Sequence, residues 1–192
     1  MFKNISVGNK LYLSVLSVFV LFAAAFIVFQ QNREKQYKID SLNIRLQDYN
    51  ARMEDWLHGR PLPTERELDR YVATHAMKEL RVTLINSRGQ VIYDNRLKDY
   101  SRLPNHLSRP EVRQAVHRGA GSTVERNSTT LGDYFFYSAT RFNGDGLIIR
   151  SALPYDNNLA ESLKADQHYI WFALSAMLVL VIILYRFTNR LG

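Results

Sequence analysis

The chain has 192 residues, of which 46% are hydrophobic, and a formal net charge of +7. That length holds one ordinary domain plus accessory segments. The absence of cysteine excludes a disulfide framework and a thiolate metal site, and most of the +7 comes from Lys3, Lys10, Arg186 and Arg190 beside two apolar runs, so the charge gives no support for nucleic-acid binding.

The first apolar run, LYLSVLSVFVLFAAAFIVF from Leu11 to Phe29, and the second, YIWFALSAMLVLVIILY from Tyr169 to Tyr185, contain no charged residue. At 1.5 Å per residue they reach roughly 28 and 25 Å as helices, close to the ~30 Å of a hydrocarbon layer. A cleaved signal peptide is the competing reading of the first, because basic residues precede it and Ala23-Ala24-Ala25 resembles a cleavage site. The run continues through Phe26 to Phe29, and the second has Trp171 and Tyr185 at its ends, so both are expected to span a membrane. Arg186 and Arg190 follow the second span without an acid, which puts that end in the cytoplasm. The expected layout is two-pass in the inner membrane, with 1–10 and 186–192 cytoplasmic and 30–168 outside.

After the first span, Ile39, Leu42, Leu46, Tyr49, Met53 and Trp56 recur at spacings of three and four, a heptad seam on an extended helix over 30–60. The seam either packs on the domain's own sheet or pairs with a second copy to form a homodimer. His58-Gly59-Arg60-Pro61 should end the helix. Thr64-Glu65-Arg66-Glu67 is a capping box for a second helix, which gives way to the alternating strand RVTLI at Arg81 to Ile85. Asn86-Ser87-Arg88-Gly89 carries turn chemistry and Val91 to Asp94 completes a hairpin.

A second capping box, Ser108-Arg109-Pro110-Glu111, opens a short helix with Val112, Ala115 and Val116 on its apolar face and Gly119 at its end. Three runs follow, GSTVERNSTT, DYFFYSATRF and GLIIRSALPY, broken at Leu131-Gly132 and at Asn143 to Gly146; they predict an antiparallel meander. From about Asn158 the pattern is helical again, and Leu159, Leu163 and Ile170 carry it through a juxtamembrane helix over 158–168 into the second span.

The stretch NHLSRPEVRQAV has the residue types of a histidine-kinase phosphoacceptor box, but His106 precedes the helix cap and Pro110 falls four residues after it. A phosphoacceptor must lie on an exposed helical face, and no ATP-binding motif accompanies it. His106 is therefore read as non-catalytic. The chain contains no G-x-S-x-G and no H-E-x-x-H, and its five histidines lack metal-ligand spacing. The acidic groups Glu54-Asp55 and Glu65-Glu67-Asp69 lie beside arginines and read as solvated helix faces, so no metal, cofactor or catalytic residue is assigned. Arg126, Arg141 and Arg150 fall on three consecutive predicted strands with Tyr134 and Tyr137 nearby. If they share a face they suit a carboxylate or phosphate ligand; otherwise they are scattered surface arginines.

The order of these pieces, with RVTLINSRGQVIYDN, HLSRPEVRQAV, GAGSTVERNSTTLGDYFFYSATRF and GLIIRSALPYD, resembles the PAS-like extracytoplasmic sensor region of two-component sensor histidine kinases over about residues 1–190. The resemblance implies a homodimer that senses an extracytoplasmic ligand and signals to a cytoplasmic kinase domain, in the same longer chain or a partner protein. Chemoreceptors and diguanylate cyclases use similar input domains, and a stand-alone adaptor that binds another envelope protein is a further alternative. The expected fold is α/β: a PAS-like domain over 61–157, with a central five-stranded antiparallel sheet flanked by helices, plus two transmembrane helices.

Overall fold

The computed structural model describes residues 7–100, 102–127, 134–144 and 146–191. The expected Thr130-Leu131-Gly132 turn lies outside them. The chain divides into two compact units, Met1–Lys38 with Lys164–Gly192, and Ile39–Leu163.

The first unit contains the N-terminal part of α1 (Val7–Leu57) and all of α5 (His168–Leu191). Among the described residues these are the two helices long and apolar enough to cross a membrane. The helical pattern expected to run unbroken into α5 is interrupted, because α4 (Asn157–Leu163) stops four residues before α5 starts. Side chains of α1 meet main-chain groups in that break. Lys38 Nζ donates to Lys164 O at 2.7 Å, and Glu34 Oε1 accepts the Asp166 N–H at 2.9 Å.

The second unit is built on a five-stranded antiparallel sheet of β1 (Arg81–Ile85), β2 (Val91–Asp94), β3 (Ala120–Asn127), β4 (Tyr134–Arg141) and β5 (Ile148–Pro154), in the order β2-β1-β5-β4-β3. The hairpin and the meander both form, and β1 and β5 join them through the centre. Gly89 takes φ +82° in the hairpin turn, where a side chain would also strike Asn105. RVTLI alternates in residue type, yet all five residues are buried, since helices cover both faces of the sheet.

One face carries α1 and α2 (Glu65–His75). Leu46, Tyr49 and Met53 of α1 and Leu68, Tyr71 and Val72 of α2 pack on Val82, Leu84, Tyr93, Phe136 and Ile149. Asn50, fully buried in the middle of this layer, bonds to Ser151 and, at 3.1 Å, to Thr140 Oγ1, while the Ser138 hydroxyl donates to Asn43 at 2.6 Å. Such bonds need matching partners, so they fix the register of α1 on the strands. The predicted capping box starts α2: the Thr64 N–H and hydroxyl both donate to Glu67 Oε2 at 2.8 Å.

The opposite face carries α3 (Pro110–Arg118), where Val112 and Ala115 pack on Ile85, Ala139 and Ile148. The helix comes very close to β3 at Gly121. A Cβ there would lie 2.4 Å from Glu111 O and 2.3 Å from Gln114 Cβ, so only glycine fits. The Ser108–Glu111 capping box does not form. Arg109 is the N-cap without a side-chain cap bond, and Glu111 points into the core, where a buried cation competes successfully with an exposed cap. Gly119 ends the helix as expected.

Candidate functional site

The register Thr83–Arg150 and Arg150–Ala139 places these side chains on the α3 face of the sheet, along with Arg81, Tyr137 and, opposite Thr83, Asp94. They form a buried ionic network. Arg81 Nη2 lies 2.9 Å from Asp94 Oδ2, and Arg81 Nε donates to the same carboxylate. Thr83 bridges the two halves: its hydroxyl donates to Asp94 at 2.9 Å and accepts from Arg150 Nη2 at 3.2 Å. Arg150 Nη1 then reaches Glu111 Oε1 at 3.3 Å, with its guanidinium 4.9 Å from the Tyr137 ring centroid. Each charged side chain in both pairs is at most 3% exposed. Two buried cations and two buried anions thus compensate one another between the sheet and α3.

His106 closes one end of this layer. It is 2% exposed, its N–H bonds to Gly89 O at 2.9 Å, and Nδ1 lies 2.7 Å from Pro104 O, which makes Nδ1 the protonated nitrogen. Burial lowers its pKa to about 4, the Arg150 and Arg109 charges act in the same direction, and the Pro104 bond opposes them. The ring is therefore neutral at ordinary pH. It lies in the loop ahead of α3, before the helix cap as the sequence predicts, and it is a buried loop anchor.

Of the five candidate ligand residues, the structure brings two together, Tyr137 and Arg150. Arg141 is exposed and donates to Val116 O at 3.2 Å near the end of α3, while Tyr134 is 55% exposed. Arg126 sits on β3 opposite Phe135. Sequence reasoning missed Arg81, Thr83, Asp94 and Glu111. Asp94 closing an apolar strand and Arg81 opening one were the available signals, but their pairing depends on the β1–β2 register.

The seam residues Leu46, Tyr49 and Met53 lie in the domain's own core, and Ile39, Leu42 and Trp56 pack against it, Trp56 stacking on Tyr71 at 4.7 Å. The acidic residues of α2 are hydrogen-bonded to tyrosines or in the cap: Asp69 accepts from the Tyr93 hydroxyl at 2.7 Å, Glu65 from Tyr100, and Glu67 from Thr64. No cluster of three metal-ligating side chains occurs among the described residues.

No family model and no curated protein matches the chain. Solved structures do. The ligand-binding domain of the Campylobacter jejuni chemoreceptor Tlp3 in complex with L-valine aligns with a TM-score of 0.53 at 16% identity, over 83% of this chain and 68% of that one. The sensor domain of the V. cholerae histidine kinase DctB aligns at 0.39 and 12% identity, over 83% and 59%. The extracellular domain assigned to a histidine kinase, rpHK1S-Z16, aligns at 0.41 and 15%, over 50% of this chain and 40% of that one. The chain thus covers 40% of the rpHK1S-Z16 chain, 59% of the DctB chain and 68% of the Tlp3 chain. It shares the PAS-like sensor-domain fold of the Tlp3 ligand-binding domain, with a five-stranded antiparallel sheet flanked by helices.

Proposed function

We propose that this chain is the signal-input module of a two-component sensor histidine kinase, held two-pass in the inner membrane with residues 30–168 outside and working as a homodimer. The observation that carries the reading is a PAS-like sensor fold on a chain with two helices apolar enough to span a membrane. The sequence resemblance favours the kinase. Helix α1 supplies both the first candidate span and the residues registered on the sheet through Asn43 and Asn50. A ligand or envelope signal that favours one of two registers biases the helix, and it does so only by its difference in affinity for the two. An anionic ligand at Arg150 and Tyr137 would enter by displacing the Glu111 carboxylate from Arg150.

The input domain of a chemoreceptor is the second reading, supported by the Tlp3 likeness, since that domain is described in complex with L-valine. Immunoblotting of native membranes with an antibody against the outer domain tests the proposal. A band far above 22.3 kDa is expected for the input half of a larger signalling enzyme. A band at 22.3 kDa overturns it in favour of a stand-alone membrane sensor or adaptor whose output is a partner protein.

A further inference from the structure

Helix α3 presents a row of basic side chains to solvent. Arg113 and His117 are exposed and stand four positions apart, so they share one stripe, and Arg109, half-buried at the N-cap, begins it. Arg118 adds an exposed cation at the last helical position, and exposed Arg141 of β4 extends the row, its guanidinium donating to Val116 O at 3.2 Å. At the other end the β1–β2 turn brings exposed Arg88 to the helix entrance. Asn105 Nδ2 donates to Arg88 O at 2.6 Å, and the His106 N–H donates to Gly89 O at 2.9 Å. The resulting ridge follows a helix of nine residues, about 14 Å long.

The single acid of α3, Glu111, is buried against Arg150 and does not face this row. Helix α2 is different, since its exposed Arg66 and Arg70 are interleaved with exposed Glu65, Glu67 and Asp69. Arg109 also holds the N-cap of α3 without a side-chain cap bond, where a cation opposes the helix dipole. Like charges gathered in this way raise the local positive potential, and an anionic partner relieves it. The rest of the surface narrows that partner. Apart from Pro110, the exposed positions of α3 are Arg113, Gln114, His117 and Arg118, which offer no large apolar anchor to a bilayer or a folded protein. Exposed Ser87, Ser108 and Gln114 lie in the same segments and can pair with hydroxyl groups. We infer that the ridge along α3 is a binding surface for an acidic polysaccharide. Successive carboxylates of the polymer pair with the arginines, and its hydroxyls bond to the polar groups between them. Only the role of this polymer as a signal rests on the input-module reading. Failure of oligosaccharide binding leaves that reading intact, and a native chain of 22.3 kDa leaves the ridge intact.

The test uses the full chain in neutral detergent micelles and a fluorescent linear oligogalacturonate long enough to span α3, followed by anisotropy over a series of salt concentrations. Two charge-matched double variants accompany the parent: Arg113→Gln with Arg118→Gln on the ridge, and Arg45→Gln with Arg52→Gln on α1. All four positions are exposed, so the fold should persist, which circular dichroism checks. The expected result is saturable binding that weakens steeply with salt. The ridge variant should bind about ten-fold more weakly at low salt, with the logarithmic salt slope reduced by about two, while the α1 variant matches the parent. The proposal is overturned by no saturation up to about 1 mM, or by equal losses in the two variants, which would leave net charge as the cause. Equally tight binding of monomeric galacturonate overturns it too, since a ridge needs a chain. Tighter binding of polyphosphate or single-stranded DNA of equal charge would assign the ridge to a phosphate polymer instead. Displacement of the oligomer by phosphatidylglycerol added to the micelles would assign it to a lipid surface.

Discussion

Arg150 on β5 and Glu111 in the first turn of α3 lie 3.3 Å apart, each almost wholly buried, although 39 positions separate them in the chain. The pair ties the helix to the centre of the sheet. Removing one partner leaves a buried charge, which typically costs about 3–5 kcal/mol. Glu111→Leu and Arg150→Met should therefore each lower the denaturant midpoint strongly. The double change Glu111→Leu with Arg150→Met should recover most of the loss, and a double-mutant cycle by urea unfolding measures the coupling. Additive losses would show that the pair contributes nothing through its mutual contact.

The neutral state of His106 predicts an acid-sensitive loop. Its pKa is lowered in the folded domain, to about 4, from the ordinary 6.5. The unfolded chain therefore binds the proton first as pH falls. The contribution of His106 is fully present above about pH 6.5 and is lost progressively down to about pH 4, at no more than about 1.4 kcal/mol per pH unit. Arg150 and Arg109 face the ring as cations and Glu111 as an anion, so protonation adds a third cation to the cluster. Comparing urea midpoints of the parent and His106→Gln from pH 7 to pH 4.5 checks this. The parent should lose stability more steeply, and parallel curves would remove His106 as the cause.

Most of the scaffold was legible in the sequence because its signals are local. Thr64 and Glu67 sit in one turn, Gly89 and Gly119 take positive φ where turns require it, and the strand runs have the right residue types. What was not legible depends on distant partners. Glu111 has the spacing of a capping residue, and only the position of Arg150 shows that it turns inward. The seam on α1 has the same pattern whether it meets a sheet or another helix, and it meets Val82, Leu84 and Phe136. The break after Leu163 was hidden for a related reason: the main-chain groups it exposes bond to Lys38 and Glu34, far away in sequence.

The packing of that seam yields a prediction about oligomeric state. Leu46 and Met53 are 0% exposed within one copy, so truncating either to Ala should destabilise the domain by about 2–5 kcal/mol through lost burial and a cavity. The loss should be the same at every protein concentration. Urea unfolding at two concentrations that differ ten-fold would check it. A midpoint shift that grows on dilution would assign these residues to contacts between copies instead.

The lack of native cysteine makes the membrane layout directly measurable. Ser87 in the β1–β2 turn and Arg186 at the end of the second apolar run are both exposed, so a single cysteine at either position should not disturb packing. With residues 30–168 outside, Ser87→Cys should react with a membrane-impermeant maleimide in intact cells once the outer envelope is made permeable. Arg186→Cys should stay unlabelled until the inner membrane is opened. The opposite pattern would invert the topology, since Lys and Arg at the span ends were the basis for the assignment. Labelling of both in intact cells would place the two positions on one side, which is incompatible with a second membrane crossing between them.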